Sequence, residues 1–309
     1  MVKFPLLKNK KKLNVLVIGF GSIGKKHCKI LKKFTNNINV FTSQNIKNFN
    51  KISSLKEIKE LDPDYFIIAS KTNTHFSFIR FIEKNFKNKK VLIEKPIMEK
   101  YRALKLKKNK FFVGYNLRFH PVIIFLKKFS KNKKINFINI NSSSFLPKWR
   151  RDIDYRKSNS ASKNYGGALL ELSHELDYAS WIFGKFRHIY SFNKKISNLE
   201  ILADDILLFV GKNLENSIIN ISINFFSRIN KREIIIEGDN FTCKGDILLN
   251  EVSVFSKNKN KIYKFSKFNM RETYLKQHMA LLKNENNFLC SVNNALATMK
   301  IIKKIKSFN

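Results

Sequence analysis

The sequence predicts an α/β protein: a doubly wound parallel sheet in its first part, followed by an α+β part whose sheet is mostly antiparallel. Three observations carry this. From Asn14 to Phe119, short β-branched apolar runs alternate with longer amphipathic ones, the βαβ rhythm of a parallel sheet. Beyond residue 200, strand-like runs follow one another without crossover helices, the pattern of antiparallel pairing. At the first strand-to-helix junction of the first part lies G-x-G-x-x-G.

The first part is built on the runs NVLVI (14–18), INVF (38–41), YFIIA (65–69), VLIE (91–94) and FFVGY (111–115). Continuous apolar strands of this kind fit burial on both faces. SIGKKHCKILKKF and HFSFIRFIEKNF supply helical patterns between them. After GYNLRFHP the sequence predicts a helix near 121–130, a strand near 135–143, a polar loop and a helix over YGGALLELSHELDYASWIFG (165–184). Strands are then expected in DDILLFVG, SIINISINFF, KREIIIEG, DILLNEVSVFS and KIYKFSKF, and amphipathic helices near 272–284 and 292–306. With 309 residues the chain suits two domains, each able to bury its own core. The boundary is expected at 118/119, with the last helix a candidate to pack back on the N-terminal domain.

Lys and Arg number 60 against 23 acids, a net charge of +37 that raises the question of nucleic acid. The distribution argues against it. Lysines recur from Lys8 to Lys306, no arginine-rich motif appears, and Lys, Asn, Ile and Phe are inflated together, as in an AT-rich bacterial genome. The charge favours anionic small molecules instead. Cys28, Cys243 and Cys290 lack disulfide or zinc spacing. No run approaches the ~20 apolar residues of a membrane span, and MVKFPLLKNKKKLN has no apolar core followed by a cleavage site. A cytoplasmic protein with no membrane partner is expected.

In VLVIGFGSIGKKH, Gly19, Gly21 and Gly24 follow a strand and open a helix. The first glycine permits a tight turn, the second lets backbone approach a pyrophosphate, and the third allows close helix-to-strand packing, while the helix N-terminus favours negative charge. Gly19, Phe20, Gly21, Ser22, Ile23 and Gly24 are therefore candidate dinucleotide ligands in a Rossmann domain. At the end of the second strand, where an acid would bind a ribose 2′-hydroxyl, the sequence reads VFTSQNIKN. Thr42, Ser43 and Gln44 can accommodate a 2′-phosphate, with Lys47 nearby. NADP is thus slightly favoured over NAD.

VLIEKPI sets Glu94, Lys95 and Pro96 at the end of the predicted fourth strand. Ligands of open α/β sheets bind beyond the carboxyl ends of strands, so Lys95 is expected where cofactor and substrate meet. Pro96 keeps Lys95 out of helical geometry.

G-x-G-x-x-G, then E-K-P, then GYNLRFHP, then GGALLELSHELDYASWIFG is an order that resembles the family of glucose–fructose oxidoreductase, inositol dehydrogenase and the rhizopine-catabolism oxidoreductases, from about Asn14 to the end. The resemblance implies a C-terminal domain whose large open sheet serves homo-oligomerisation, as a dimer or tetramer. It also implies reversible hydride transfer between a nicotinamide and a hydroxyl carbon of a sugar, cyclitol or sugar nucleotide. The family's lysine maps onto Lys95. SKTNTHF resembles the segment beside the nicotinamide half of the cofactor, which adds Ser70, Thr72, Asn73 and His75 to Ser43, Glu94 and Lys95 as cofactor candidates. Arg118 of GYNLRFHP joins the substrate candidates.

Oxidising a secondary alcohol removes a hydride and a proton, so a group that exchanges protons must reach the hydroxyl oxygen. A lysine and a histidine converging there can do this. Glu171, His174, Glu175 and Tyr178 fall at i, i+3, i+4 and i+7 and share one helical face, and Gly166 and Gly167 allow close approach at its start. Many family members have an Asp followed four residues later by a His; here Glu171 is followed by His174 three residues on and by Glu175 at the fourth. His174 is the candidate proton relay or hydroxyl ligand, the alternatives being a structural histidine bonding the neighbouring domain or an exposed one. Glu171 is the candidate to orient Lys95 or bind a hydroxyl, and either His174 or Glu175 is the residue that faces Lys95. Asp177 is expected to bond within the domain interface, in a structural or functional role.

The preceding loop, PKWRRDIDYRKSNSASKNYGG, offers Trp149 as an apolar face for a sugar ring and Arg150, Arg151, Tyr155, Arg156 and Lys163 as donors. Its cations point to an anionic substrate or form an ordinary solvated loop. No metal is expected, because the six histidines form no ligand pair, and no G-x-S-x-G nucleophile elbow is present. The reading is an NAD(P)-dependent dehydrogenase or reductase; the alternative is a cofactor-binding sensor or scaffold that has lost catalysis.

Overall fold

The structure is a computed structural model that describes residues 13–149, 153–257 and 259–308. In chain order its first elements are β1 (Val15–Ile18), α1 (Ser22–Leu31), β2 (Ile38–Phe41), β3 (Asn50–Ile52), α2 (Leu55–Leu61), β4 (Tyr65–Ile68), α3 (Thr72–Asn85), β5 (Lys90–Ile93) and β6 (Lys110–Val113). There follow α4 (Pro121–Ser130), β7 (Phe137–Phe145), α5 (Ala168–Glu171) and α6 (His174–Phe183). A run of strands comes next: β8 (Phe186–Lys194), β9 (Ile206–Asn213), β10 (Ile218–Asn224), β11 (Phe226–Gly238), β12 (Phe241–Asp246), β13 (Glu251–Ser256) and β14 (Lys259–Lys264). The chain closes with α7 (Arg271–Lys283), β15 (Cys290–Ser291) and α8 (Val292–Phe308).

These elements form two compact units. One holds the described residues through Met98 together with Arg102–Tyr115 and Tyr274–Val292; the other holds Glu99–Tyr101, Asn116–Thr273 and the chain from Asn293 on.

The first unit is a seven-stranded sheet in the order β15-β6-β5-β4-β1-β2-β3. Its pairs are parallel except β15 with β6. Every residue of β1 and β4 is buried, as strands covered on both faces require. Strand order reverses between β1 and β4, the switch point at which open α/β sheets hold ligands. Two short elements escape the periodicity of the sequence. Strand β3 is a polar, exposed edge of three residues, and α2 is only seven residues long. Helix α2 nevertheless carries a capping box: the Ser54 hydroxyl accepts from the Glu57 N–H and donates to the Glu57 carboxylate.

The second unit is an eight-stranded sheet in the order β14-β13-β12-β11-β7-β10-β9-β8, antiparallel except for the β7–β10 pair. Alternation is regular along β10, where Ile219, Ile221 and Ile223 are buried and the residues between them half-buried. Helices α4, α5 and α6 pack on this unit, and the other sheet face carries exposed apolar side chains, among them Leu208.

The helix expected over 165–184 is two helices. Helix α5 ends at Glu171, Leu172 takes φ −102° and ψ 27°, and α6 begins at His174. The Glu175 N–H donates to the Leu172 carbonyl, one residue short of the α-helical partner. The tightened turn breaks the 3.6-residue register, so positions before and after it do not continue one face. Burial shows the consequence: Glu171 and His174 are partly exposed, whereas Glu175 and Tyr178 are fully buried.

Candidate active site

In the first unit, the glycine turn joins β1 to α1 at the switch point. Gly19 has φ +98°, and a Cβ there would lie 2.6 Å from the Ala69 carbonyl oxygen, so both conformation and space demand glycine. A Cβ at Gly24 would overlap the Gly19 carbonyl, which lets α1 seat directly on the turn. Gly21 differs: a Cβ there would meet nothing within 4 Å. It is the N-cap of α1, no side chain caps it, and the first turn carries no acid. An anion can therefore approach the N-terminal N–H groups without displacing a protein group. Beside the turn, the Phe20 ring meets Phe49 edge-on and lies under the Lys25 ammonium at 5.4 Å. Ser22 is exposed and Ile23 half-buried.

Beyond β2, Ser43, Gln44 and Lys47 are exposed, and the Thr42 hydroxyl accepts from the Gln44 N–H at 3.2 Å. Beyond β4, Thr72 and Asn73 lie in the first turn of α3, which is also free of acids. The Thr74 hydroxyl donates to the Lys71 carbonyl, so its contact with Ser70 Oγ at 2.7 Å is one in which Ser70 donates. His75 is buried between two carbonyls, those of Ser70 and Pro96, each 3.1 Å from a ring nitrogen. It packs between the segment after β4 and the segment after β5, and as a neutral ring it has one N–H to give to one of the two carbonyls. Burial pushes its pKa down despite these contacts.

Lys95 follows β5 and is half-buried, and its peptide bond to Pro96 is cis. The Glu94 side chain turns inward: Oε1 lies 2.9 Å from His27 Nε2, and Oε2 accepts from the Lys95 backbone N–H at 3.3 Å. Behind His27 stand His278, with Nε2 2.9 Å from His27 Nδ1, and Tyr65, whose hydroxyl is 2.8 Å from His278 Nδ1. Sequence reasoning missed all three. His27 alone had a signal, standing three residues after Gly24 on the buried side of α1.

In the second unit, Ser160 Oγ donates to Glu171 Oε1 at 2.8 Å. Glu175 is engaged by Arg232, with Nε at 2.9 Å and Nη2 at 2.8 Å from Oε1. Arg118 is buried and paired with Asp177, and its Nη1 donates to Asn294 at 3.3 Å. Trp149 donates from Nε1 to Ser144 Oγ, sets its ring edge against Phe225, and lines a shallow hollow with Leu146, Ile153, Tyr155, Ser158 and Ser160. The Tyr155 hydroxyl accepts from the Glu200 N–H, Arg156 pairs with Asp154 and Glu200, and Lys163 is exposed. Gly166 and Gly167 do not open space for a ligand. Cβ atoms there would overlap the Ser160 carbonyl and the Asp204 carboxylate, so the chain's own atoms occupy that room. Arg150 and Arg151 lie outside the described residues.

Residues 13–111 match the family model of the Gfo/Idh/MocA oxidoreductases described as an NAD-binding Rossmann fold, and residues 133–301 match the model of that family's C-terminal alpha/beta domain. The chain belongs to the Gfo/Idh/MocA oxidoreductase family. It is an NAD-binding oxidoreductase of the dehydrogenase type.

No curated protein matches the chain by sequence. Solved structures share its fold. Levoglucosan dehydrogenase in complex with NADH superposes with a TM-score of 0.81 at 17% identity, with 96% of each chain covered. The WlbA dehydrogenase of Bordetella pertussis, in complex with NADH and UDP-GlcNAcA, gives 0.75 at 14% identity over 96% of this chain and 95% of that one. UDP-N-acetylglucosamine 3-dehydrogenase GnnA of Acidithiobacillus ferrooxidans gives 0.74 at 13% identity over 96% and 97%.

The glycine turn of this Gfo/Idh/MocA member fits the family's cofactor: open space over Gly21, an uncapped helix N-terminus and no acid in the first turn are what a pyrophosphate requires. The residues that would hold it run from Gly19 to Gly24, with Ser70, Thr72 and Asn73 across the switch point. Among the described residues no cluster of His, Cys, Asp and Glu could hold a metal ion, and no helix is long and apolar enough to cross a membrane.

Proposed function

We propose that the chain catalyses reversible hydride transfer between a nicotinamide dinucleotide and a hydroxyl or keto carbon of a sugar nucleotide or related sugar, with Lys95 and His174 handling the proton. The observation that carries this reading is the position of Lys95 at the carboxyl end of β5. That strand is two strands from β1 on the switch-point side, so Lys95 stands about 10 Å across the strands from the glycine turn. A dinucleotide whose pyrophosphate rests on the turn extends its nicotinamide in this direction and its adenosine toward β2.

The bound cofactor supplies the hydride acceptor or donor at its nicotinamide ring. The remaining chemistry falls to side chains of this chain. Lys95 hydrogen-bonds the reacting oxygen, and His174, partly exposed at the start of α6, takes up or returns the proton. Glu171, fixed by Ser160, binds a substrate hydroxyl or orients Lys95. Glu175 and Arg118 serve as scaffold in this reading, since Arg232 and Asp177 already occupy them. Trp149 and Tyr155 line the hollow before α5, and Lys163, exposed on the same loop, favours a ring bearing anionic groups. The sugar-nucleotide class is supported by the neighbours named for UDP-sugars and by the net charge of +37.

NADP is slightly favoured over NAD, because the turn after β2 carries Thr42, Ser43 and Gln44 and no acid. Three buried free thiols fit a reducing cytoplasm, and a sheet face that mixes exposed apolar side chains such as Leu208 with paired polar ones such as Asn139 and Asn220 fits a homo-oligomer. The second reading, a cofactor-binding scaffold without catalysis, draws on the broken helix between Glu171 and His174.

Purified protein incubated with NADP or NAD and a panel of sugars and UDP-sugars should reduce the nicotinamide with at least one UDP-sugar. Cofactor binding without turnover across the panel contradicts catalysis and favours the scaffold.

A further inference from the structure

Four buried side chains of the first unit form one hydrogen-bonded file: Tyr65 hydroxyl to His278 Nδ1 at 2.8 Å, His278 Nε2 to His27 Nδ1 at 2.9 Å, and His27 Nε2 to Glu94 Oε1 at 2.9 Å. Glu94 Oε2 then accepts the Lys95 N–H at 3.3 Å. Tyr65, His278 and His27 are each 0% exposed and Glu94 7%, so water does not stand in for a missing partner. The file crosses the fold, from β4 to α7 to α1 to the end of β5.

The donors and acceptors allow one assignment that leaves both rings neutral and Glu94 ionised. His27 must donate from Nε2 to the carboxylate, which leaves its Nδ1 a lone pair. That lone pair must be met by the His278 Nε2–H, which leaves His278 Nδ1 to accept from the Tyr65 hydroxyl. With both rings neutral, the reverse polarity would require a proton on Glu94, with the His278 Nδ1–H donating to the Tyr65 oxygen. Burial, with Glu94 adding to it, raises the Tyr65 pKa well above its ordinary value, and burial holds His278 well below its own. His278 stays neutral and the phenol keeps its proton. In the assignment with both rings neutral, all three hydrogen bonds point toward Glu94.

We infer that Tyr65, His278 and His27 are positioning residues for Lys95: they hold the Glu94 carboxylate turned inward, so that its second oxygen fixes the Lys95 backbone. Two further observations support a dedicated site. The carboxylate packs against Gly114, where a Cβ would come within 2.8 Å of Glu94 Oε1. On the other side of Lys95, the Pro96 carbonyl lies 3.1 Å from the buried His75 Nδ1. Lys95 is thus flanked by the Glu94 carboxylate before it and by a carbonyl against a buried histidine after it. The inference rests on the reading of Lys95 as the reacting lysine, and its first test needs no substrate.

Imidazole 15N spectra of the full chain should show His27 and His278 both protonated at Nε2 and both neutral. Backbone amide spectra of wild type, His27→Leu and His27→Gln should show the Lys95 amide displaced in His27→Leu more than the β1 amides are, and restored in His27→Gln, which keeps a donor to Glu94. With a UDP-sugar that wild type turns over, His27→Leu should lower kcat about tenfold, as loss of the partners behind metal ligands does, with cofactor Kd unchanged and kcat recovered in His27→Gln. An Nδ1-protonated ring in wild type, or an unmoved Lys95 amide in His27→Leu, overturns the inference. If His27→Leu does not fold, His278→Gln, which keeps a donor to His27, must leave the Lys95 amide in its wild-type position; a displaced amide there overturns the inference equally. Wild type that turns over no sugar contradicts the proposed function alone, because the spectra decide the positioning claim without it.

Discussion

Arg118 and Asp177 are joined by two parallel hydrogen bonds, Nε to Oδ2 at 2.9 Å and Nη2 to Oδ1 at 2.8 Å, with both side chains 2% exposed. The pair bolts the turn before α4 to the middle of α6, and the Arg118 guanidinium also lies 5.2 Å from the Trp181 ring. A buried pair of this kind is costly to break from one side, because the survivor is a desolvated charge. Asp177→Ala should therefore lower stability by about 3–5 kcal/mol, read as a reduced urea midpoint. The double variant Arg118→Met, Asp177→Leu should recover most of that loss. Equal loss in both variants would show that the charges do more than hold α6 in position.

The glycine turn separates stability from binding. At Gly24 a side chain meets the Gly19 carbonyl, so Gly24→Ala should destabilise by about 1–3 kcal/mol through overpacking. At Gly21 the backbone, with φ −71°, suits any residue and the space is open. Gly21→Ala should melt like wild type, yet bind NADP or NAD at least about tenfold more weakly, roughly 1.4 kcal/mol. Calorimetry of both variants with both cofactors checks this. Equal effects on melting at the two positions would contradict the geometry.

Acid should destabilise the fold before the carboxylates titrate. Burial depresses the pKa values of His75 and His278 in the folded state, while in the unfolded chain a histidine titrates near about 6.5. Above that value both states hold the neutral ring and stability is unaffected. As pH falls through about 6.5 the unfolded chain binds protons the folded one refuses, and stability drops by up to about 1.4 kcal/mol per pH unit per histidine. Asp204 works the other way at lower pH. Burial raises its folded pKa, so the folded state takes up that proton first and is favoured as pH falls through the raised value. Urea midpoints across this range should fall on the acid side for wild type and fall less steeply for His278→Gln.

Much of this architecture was legible in the sequence, and the reasons differ by element. Strands β1 and β4 announced themselves because burial on both faces makes them continuously apolar, and β2, β5 and β6 because most of their residues are apolar. The glycine turn was legible because its backbone demands are met by one residue type. The place of Lys95 after β5 was legible because an apolar strand ends just before it. What escaped was tertiary. The break after Glu171 depends on a single backbone turn with no proline to mark it, so Glu175 and Tyr178 looked like neighbours of His174 when they belong to the core. Arg118 and Arg156 looked like ligands because nothing in a sequence shows that Asp177, Asp154 and Glu200 already meet them. His278 could not be tied to His27 across 251 residues.

The account turns on Lys95, and a split between binding and turnover tests it most directly. Lys95→Met keeps an apolar stem and removes the proton-exchanging group. With a UDP-sugar that wild type oxidises, this variant should bind NADP or NAD as wild type does while kcat falls by about 10²–10⁴, the span of a positioned acid–base group. A Lys95→Met chain that reduces the nicotinamide at the wild-type rate would contradict the assignment of the chemistry to the carboxyl end of β5.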